Sequence, residues 1–313
     1  MRTPTTTAAA PTPRARGGIG QIFCGTGRLL HLTVRTDTIA TPIGVLVLPA
    51  LLLITAASLA PLYPDAPSRH ALATGSAANP IFQVLLGPLR DTSSTGTIAL
   101  WRIGMFALLI SAILAAATIT RTLRGPESAG RTELLRAGAV GPAAPVAAAT
   151  ITAATATAAA STLTALAAAA VGVPTIAAAL LGVQVSAAGL AGIAIAVIID
   201  QIVTTTRTAV AASSAILVAA YIIRGIGDAA PSWSWLTWTS PLGWAEHTDP
   251  LATGSLAPPA LCLALFLSAV AAATIIARRR DLGAGLIAPR PGPPTARWPI
   301  TVTARTMGPA LTP

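Results

Sequence analysis

The sequence predicts an all-α integral membrane protein with six transmembrane helices. Hydrophobic residues make up 53% of the 313 residues and charged residues only 10%, whereas soluble domains carry about 25% charged residues. Residues 137–199 form a run of 63 without a charged side chain. As one helix this run would be roughly 95 Å long, about three times the hydrocarbon thickness of a bilayer. We therefore expect two spans that turn back at residues 171–174, where a Gly and a Pro interrupt the run.

The composition also excludes several classes of chemistry. All twenty basic side chains are arginine, and without lysine the chain has neither a Walker A loop nor a Schiff-base lysine. Two cysteines, Cys24 and Cys262, are too few for a disulfide framework or a metal site. The three histidines are scattered along the chain. We therefore expect no catalytic residue, metal or cofactor in this chain.

Six apolar segments are long enough to cross a bilayer. The first contains Pro42 and Pro49, and the fifth is short, between Arg207 and Arg224. The last ends at three consecutive arginines. The predicted spans are residues 39–62, 103–120, 145–170, 175–199, 208–223 and 257–277.

The arginines predict the orientation of these spans. If the N-terminus is cytoplasmic, sixteen of the twenty arginines fall on the cytoplasmic side and only Arg69, Arg90, Arg102 and Arg224 on the outside. This bias follows the positive-inside rule. The bias explains the excess of arginine as loop charge that fixes membrane orientation rather than as a nucleic-acid-binding surface, so we expect no nucleic-acid partner. The prediction is a bacterial cytoplasmic (inner) membrane protein with both termini in the cytoplasm.

The segments outside the spans complete the predicted organisation. Residues 1–17 are rich in Thr, Ala and Pro and read as a disordered tail, and residues 281–313 as a Pro/Arg-rich cytoplasmic tail. Residues 18–37 interleave apolar side chains with Arg28, His31 and Arg35, which is typical of an amphipathic helix on the inner membrane surface. An irregular basic leader is the alternative, because Gly25 and Gly27 weaken a helix. Residues 38–280 form the six-span domain.

The intracellular loop over residues 121–141 is rich in both signs of charge. Pro126 and Glu127 suit the first turn of a helix, where proline loses no hydrogen bond and an acid meets the positive end of the dipole. Glu127 and Arg131 form an i,i+4 pair, and Glu133, Leu134 and Leu135 continue the turn. We predict a short cytoplasmic helix that docks on a partner. A merely solvated loop is the alternative.

The outer segment 224–259 contains four tryptophans within twelve residues: Trp233, Trp235, Trp238 and Trp244. Clustered tryptophans are typical of an interfacial belt that anchors a protein at the membrane surface. Residues 240–244 are also short enough to dip into the outer leaflet as a re-entrant segment. Both interpretations stay open.

Polar residues inside the spans are candidates for a transport path, because polarity in the membrane usually faces protein or water. We select Gln184, Thr155 and Thr162 as candidate cavity-lining residues. The alternative is that Ala/Thr helices pack through their small residues, with each hydroxyl bonded to its own backbone. The spans carry no acid or histidine at mid-depth, which disfavours an ion-coupled carrier.

Several strings of residues, in order, resemble the actinobacterial ABC-2-type permeases of the polyketide antibiotic exporter group. The resemblance covers roughly residues 28–293, a six-span half. Its strongest part is the loop after the second span, which in that group reads Arg-x-Thr-Arg-x-Glu-Glu-Glu-x-Gly-Arg-x-Glu-Leu-Leu. The matching strings here are Arg121-Thr-Leu-Arg124, Glu127, 130–135 with Gly141, Arg224-x-x-Gly227-Asp228, 240–245, 279–286 and 290–293.

The resemblance implies a permease that exports hydrophobic or amphiphilic, antibiotic-like compounds and has no ATPase of its own. ATP and Mg²⁺ would bind a separate dimeric ABC ATPase. Residues 18–37 would be the connecting helix. The ATPase-coupling residues would be Arg124, Glu127, Arg131, Glu133, Leu134 and Leu135. The external gate or re-entrant region would lie within residues 232–249 and include Trp238, Pro241, Leu242, Gly243 and Trp244.

The chain departs from that group in two ways. Three consecutive acids are replaced by Pro126-Glu127-Ser128. Members usually carry two six-span halves, whereas residues after Pro293 do not resemble the entry to a second half. The expectation is a half-transporter that forms a homodimer or pairs with a separate half. A truncated, non-transporting half or membrane scaffold is the alternative, and an ion-coupled secondary carrier is the less favoured one.

Overall fold

Six helices long and apolar enough to cross a membrane dominate the computed structural model, which describes residues 19–128, 140–229, 231–252 and 254–279. The predicted all-helical six-span fold is thereby confirmed. The spans are α3 (Ala40–Leu59), α6 (Thr95–Ser128), α7 (Ala144–Ala170), α8 (Thr175–Ile202), α9 (Thr206–Ala229) and α11 (Ala257–Arg279). The shorter elements are α1 (Ile19–Ile22), α2 (Thr26–Thr36), α4 (Ala66–Ala77), α5 (Pro80–Leu86), a 3₁₀ helix (Pro231–Thr239) and α10 (Pro241–Glu246).

The charge-free run folds as the predicted hairpin. Helix α7 ends at Ala170 and α8 begins at Thr175. Between them Gly172 adopts a φ of 88°, a left-handed conformation that favours glycine. We call the end of the bundle that carries this turn the distal end. The opposite end, where α2 and residue 140 lie, is the proximal end. In the predicted orientation the distal end faces outside.

Close backbone approach holds the hairpin against α6. A Cβ atom on Gly192 would overlap the carbonyl of Ala112. The Ser111 hydroxyl donates a 2.9 Å hydrogen bond across the same interface to the carbonyl of Val185. Small residues at helix contacts are how membrane helices gain packing where lipid supplies no hydrophobic drive. The centre of the bundle is therefore built on the shape of small residues.

Helix α6 is longer than its predicted span of 103–120. It begins at Thr95, where a Cβ on Gly96 would overlap the Val171 carbonyl, so only glycine lets it pack against the distal turn. At the other end the helix runs through Pro126 to Ser128. The predicted start of a separate helix at Pro126 is therefore wrong. A proline within the last turn removes one hydrogen bond near a helix end, where several carbonyls lack an intrahelical donor in any case.

The N-terminal segment is two helices rather than the predicted single one over 18–37. Gly25 has a φ of 85° and separates α1 from α2. The break exposes backbone carbonyls that bind the start of α7. The Gly141 amide donates to the Cys24 carbonyl at 2.8 Å, and the Ala143 amide to the Ile22 carbonyl at 3.2 Å. The distortion of the surface helix thus creates a joint with the bundle.

A second contact ties this segment to α6. Asp37 lies between α2 and α3 and accepts hydrogen bonds from the amide and hydroxyl of Thr41. The Asp37 carboxylate thereby caps the start of α3. The same carboxylate lies 3.8 Å from the guanidinium of Arg121, close to the proximal end of α6. Residues 19–41 therefore contact both helices that flank residues 129–139.

The segment between α3 and α6 contains two helices that were not predicted. Asp65 caps α4 by accepting from the Ser68 amide at 2.8 Å. Asn79 caps α5 by accepting from the Ile81 amide at 3.0 Å. Each cap is followed within two residues by a proline, a signature of a helix start. Helix α5 packs against the distal ends of α6 and α9, and α4 packs against α5.

Candidate functional site

A cavity of about 550 Å³ lies at the distal end of the bundle. Its walls come from residues 83–90, the first turns of α6, the middle of α8 and the end of α9. The 3₁₀ helix, α10 and the residues that follow it close the remaining side. Small-molecule sites commonly have this volume, and they form where several elements converge. The cavity is the candidate functional site.

A buried arginine organises the wall of this cavity. Arg224, on α9, is 1% exposed. Its Nη1 donates to Asp228 Oδ2 at 2.8 Å and lies 3.5 Å from Glu246 Oε2. The guanidinium carbon lies 4.8 Å from the centre of the Tyr221 ring. One guanidinium thus serves two carboxyl groups from different elements, which fixes α10 against α9.

The same arginine belongs to a set of donors that hold the C-terminal end of α5. Its Nη2 donates to the Val84 carbonyl at 3.2 Å. The Tyr221 hydroxyl donates to the Leu85 carbonyl at 2.6 Å, and the Trp101 indole to the Gly87 carbonyl at 2.8 Å. The last carbonyls of a helix have no intrahelical donor and carry partial negative charge. Side chains from two spans therefore cap this short helix.

Glu246 is the acid of the cluster that lies outside the spans. Burial raises the pKa of its carboxyl to about 8, although Arg224 acts in the opposite direction. Its Oε2 atom is buried and accepts no hydrogen bond among the described residues. A neutral Glu246 leaves Arg224 and Asp228 as a balanced pair, so near neutral pH the cluster holds a proton.

The predicted gate residues come together around α10. Ser240 caps this helix, and its hydroxyl donates to the Ala220 carbonyl at 2.8 Å. Leu242 is buried, and a Cβ on Gly243 would overlap the Thr237 carbonyl. Helix α10 is therefore packed tightly between the 3₁₀ helix and the bundle.

The tryptophans of this segment lie at its edge. The Trp244 indole donates to the Trp238 carbonyl at 2.6 Å, and the Trp238 ring lies 4.4 Å from the His247 ring. Trp238 is half exposed, whereas Pro241 accepts a contact from the thiol of Cys262 on α11 through its carbonyl. Whether this region enters the membrane stays a prediction.

Of the three candidate cavity-lining residues, Gln184 lies on the distal cavity. Its amide nitrogen is 3.4 Å from the Glu246 carbonyl, which links α8 to α10. Thr155 and Thr162 do not line this cavity. Both are exposed on α7, and their hydroxyls donate to the carbonyls of Ile151 and Ala158 one turn earlier.

The predicted ATPase-coupling residues lie at the proximal end. Arg124 is buried at 3% exposure, so its guanidinium is held inside the bundle. Glu127 lies within the last turn of α6. Arg131, Glu133, Leu134 and Leu135 lie outside the described residues. Their role stays a prediction.

The sequence interpretation missed the Arg224, Asp228 and Glu246 cluster as a site. A signal for the first two was present, because they form an i,i+4 pair just beyond the predicted end of span five. In the structure the fifth span continues to Ala229, so Arg224 and Asp228 lie one turn apart on the same helix. Glu246 had no local signal, since its burial depends on how α10 packs.

Comparison with known proteins gives one informative match. No family model matches the chain. Over 282 residues, 88% of its length, the chain is 36% identical to the multidrug efflux system permease protein Rv1217c of Mycobacterium tuberculosis. The aligned region is 50% of that protein, so the chain spans about half the length of this curated relative.

Proposed function

The chain is homologous to a mycobacterial multidrug efflux permease, and from this premise we propose that it is the permease subunit of an ABC-2-type exporter. It would move hydrophobic or amphiphilic compounds out of the cell. The resemblance to actinobacterial exporter permeases is confirmed at the level of an efflux permease from that group of bacteria. The identity over 88% of the chain is the observation that carries the proposal.

The distal cavity supports this function from the structure. Elements from five parts of the chain converge on it, and a buried charged cluster fixes their positions. An exporter needs a chamber that can receive a compound and an element that can close it. We assign these roles to the cavity and to α10 with the 3₁₀ helix.

The energy would come from a dimeric ABC ATPase that carries ATP and Mg²⁺. Its contact would be residues 121–141, in the cytoplasm together with both termini. The structure supports a mechanical link, because Arg121 at the start of this segment pairs with Asp37 and Gly141 at its end is bonded to Cys24. Force on the loop would reach α2, α6 and α7 together. The membrane would be the bacterial cytoplasmic membrane.

A second six-span unit is the other proposed partner. The relative is about twice as long as the aligned region, which is consistent with two units in the working transporter. We propose that this chain pairs with a second copy or a separate half, so that two sets of six spans surround the path.

The test begins with co-purification of the chain and an ABC ATPase encoded beside it. Glu127→Arg combined with Glu133→Arg should abolish the complex, because both acids reverse charge at the proposed contact. Asp91→Arg reverses a charge in the segment between α5 and α6, at the opposite end of the bundle, and should leave the complex intact. An intact, ATPase-stimulating complex with the first variant would contradict the coupling assignment.

Efflux assays separate the remaining alternatives. Transport that persists after deletion of the ATPase gene would favour an ion-coupled carrier. A stable complex that does not export any compound, alone or with a second half, would favour a non-transporting scaffold. Export that requires both the ATPase and its hydrolytic activity would support the proposal.

A further inference from the structure

The charges on the distal cavity are not balanced. Asp228, Glu246 and Asp249 line it, together with Arg90. Arg90 and Asp249 form an ion pair at 3.2 Å and compensate each other. Asp228 and Glu246 both pair with the one guanidinium of Arg224, which is not itself among the residues that line the cavity. With all carboxyls ionised, the wall carries one excess negative charge.

Apart from the polar side chains of Gln83, Gln184, Ser234 and His247, the rest of the wall is largely apolar and aromatic. Leu100, Trp101 and Met105 come from α6, Leu86 from the end of α5 and Leu251 from the turn that follows α10. The Trp101 indole N–H already donates to Gly87, so its ring is left as an apolar surface. A ligand that fits this wall has an apolar body and one positive charge.

We propose that the distal cavity binds an amphiphilic organic cation, with its charge against Asp228 and Glu246 and its apolar body against Trp101 and Met105. Glu246 Oε2 lies 3.5 Å from Arg224 Nη1 but accepts no hydrogen bond among the described residues, so it has acceptor capacity left for a cation. That such a cation is the exported compound rests on the proposed function. That the cavity binds such a cation can be tested without transport.

Proton release accompanies binding. The charged and titratable groups around Glu246 are Arg224, Asp228 and Tyr221 on α9, with His247 next to it and the Arg90–Asp249 pair on the cavity wall. Burial raises the pKa of Glu246 to about 8. A cation stabilises the ionised carboxylate, so its arrival displaces the carboxyl proton to water. Affinity for a cation therefore rises as the pH increases through about 8.

The experiment uses the purified full chain in lipid nanodiscs without the ATPase. Ethidium, a fluorescent aromatic cation, is the probe, and the anionic dye anilinonaphthalene sulfonate is the contrast. We expect ethidium to bind and the anion to bind at least about tenfold more weakly. Asp228→Asn should weaken ethidium binding about tenfold at every pH. The ethidium affinity of Glu246→Gln should match that of the wild type at pH 6 and be lower than that of the wild type at pH 9.

A second variant avoids the buried network. Gly104 lines the cavity from α6, and its nearest neighbour beyond the helix backbone is a flexible atom of Leu100. Gly104→Leu should fill the cavity and lower ethidium affinity about tenfold or more. Gly75→Leu, at an α4 position with nothing within 4 Å, is the matched control and should bind as the wild type does.

The outcomes distinguish this inference from the proposed function. Equal binding of the cation and the anion, or unchanged ethidium affinity in both Asp228→Asn and Gly104→Leu, would overturn the cation site even if export is observed. Selective, pH-dependent binding in a chain that never engages an ATPase would support the site while contradicting the export function.

Discussion

The α7–α8 hairpin and the distal site satisfy their polar groups in opposite ways. On α7, the hydroxyls of Thr152, Ser161 and Thr164 donate to carbonyls one turn earlier in the same helix. At the distal site, the donors of Tyr221 and Arg224 reach carbonyls of α5, on a different element. Local bonds leave the hairpin free to pack by shape, whereas the distal bonds fix separate elements in one arrangement.

This difference gives the two regions different mechanical properties. The α7 hydroxyls that bond to their own helix do not tie it to a neighbouring element, whereas α8 is held by the hydrogen bonds from Ser111 and from Gln184. A cluster that spans three elements holds one geometry and loses much when a member is removed. If the chain is an exporter as proposed, α7 suits a moving wall and the distal site suits recognition.

Arg224→Met should give the largest effect, because it leaves two carboxyl groups and the Val84 carbonyl without their donor. Removing one partner of a buried ionic group costs about 3–5 kcal/mol. Thermal unfolding of the purified chain in detergent should show a strong loss of stability. Arg207→Met, an exposed arginine of the same helix, is the control. Equal melting temperatures for Arg224→Met and Arg207→Met would contradict the view that the distal cluster fixes separate elements.

The pH dependence of stability should be the next largest effect. The pKa of Glu246 is raised from 4.5 to about 8 in the folded chain, so the folded state retains a proton that the unfolded state loses. Stability is therefore highest below about pH 4.5 and falls as the pH rises toward about 8, by up to about 1.4 kcal/mol per unit. Melting curves of Glu246→Gln should lack this component. A slope identical to that of the wild type would contradict the assignment.

Gly192→Ala probes the hairpin itself and should cost about 1–3 kcal/mol, a typical cost of overpacking. The added methyl meets the Ala112 backbone, which cannot move without displacing α6. Gly75→Ala, where nothing lies within 4 Å, should melt as the wild type does. If Gly192→Ala is equally neutral, close packing does not hold the hairpin.

Thr155→Val and Thr162→Val should give the smallest effect, within about 0.5 kcal/mol, and unchanged efflux. Their hydroxyls bond to their own helix and lie on its exposed side. Ser111→Ala is the contrast, because its hydroxyl crosses to α8 and its loss should cost about 1 kcal/mol. A loss of efflux in the threonine variants would place the transport path along α7.

The spans and the hairpin turn could be predicted because they depend on composition and on local breaks. The run without charge between Arg136 and Asp200 exceeds the length of one span, and Gly172 supplies the turn. The end of α9 could not be placed the same way. Arg224 marks a boundary by its charge, yet its partners on other elements bury it and the helix continues to Ala229.

The candidate site was predictable only in part. Gln184 stands out as an amide in an apolar span, and the structure places it on the cavity. Glu246 follows an ordinary turn sequence, and only the packing of α10 makes it a buried acid. The break at Gly25 shows the same limit, since a weak helix former was visible but its bond to the start of α7 was not.

That joint has a consequence for the biogenesis of the protein. Ile22 and Cys24 are synthesised early, yet their hydrogen-bond donors at Gly141 and Ala143 follow two complete spans later. Until α3 and α6 have been made and α7 begins, the carbonyls of Ile22 and Cys24 lack these donors, although Asp37 can already pair with Arg121. The docking of the N-terminal segment on the start of α7 can therefore occur only after the first two of the six spans have been made.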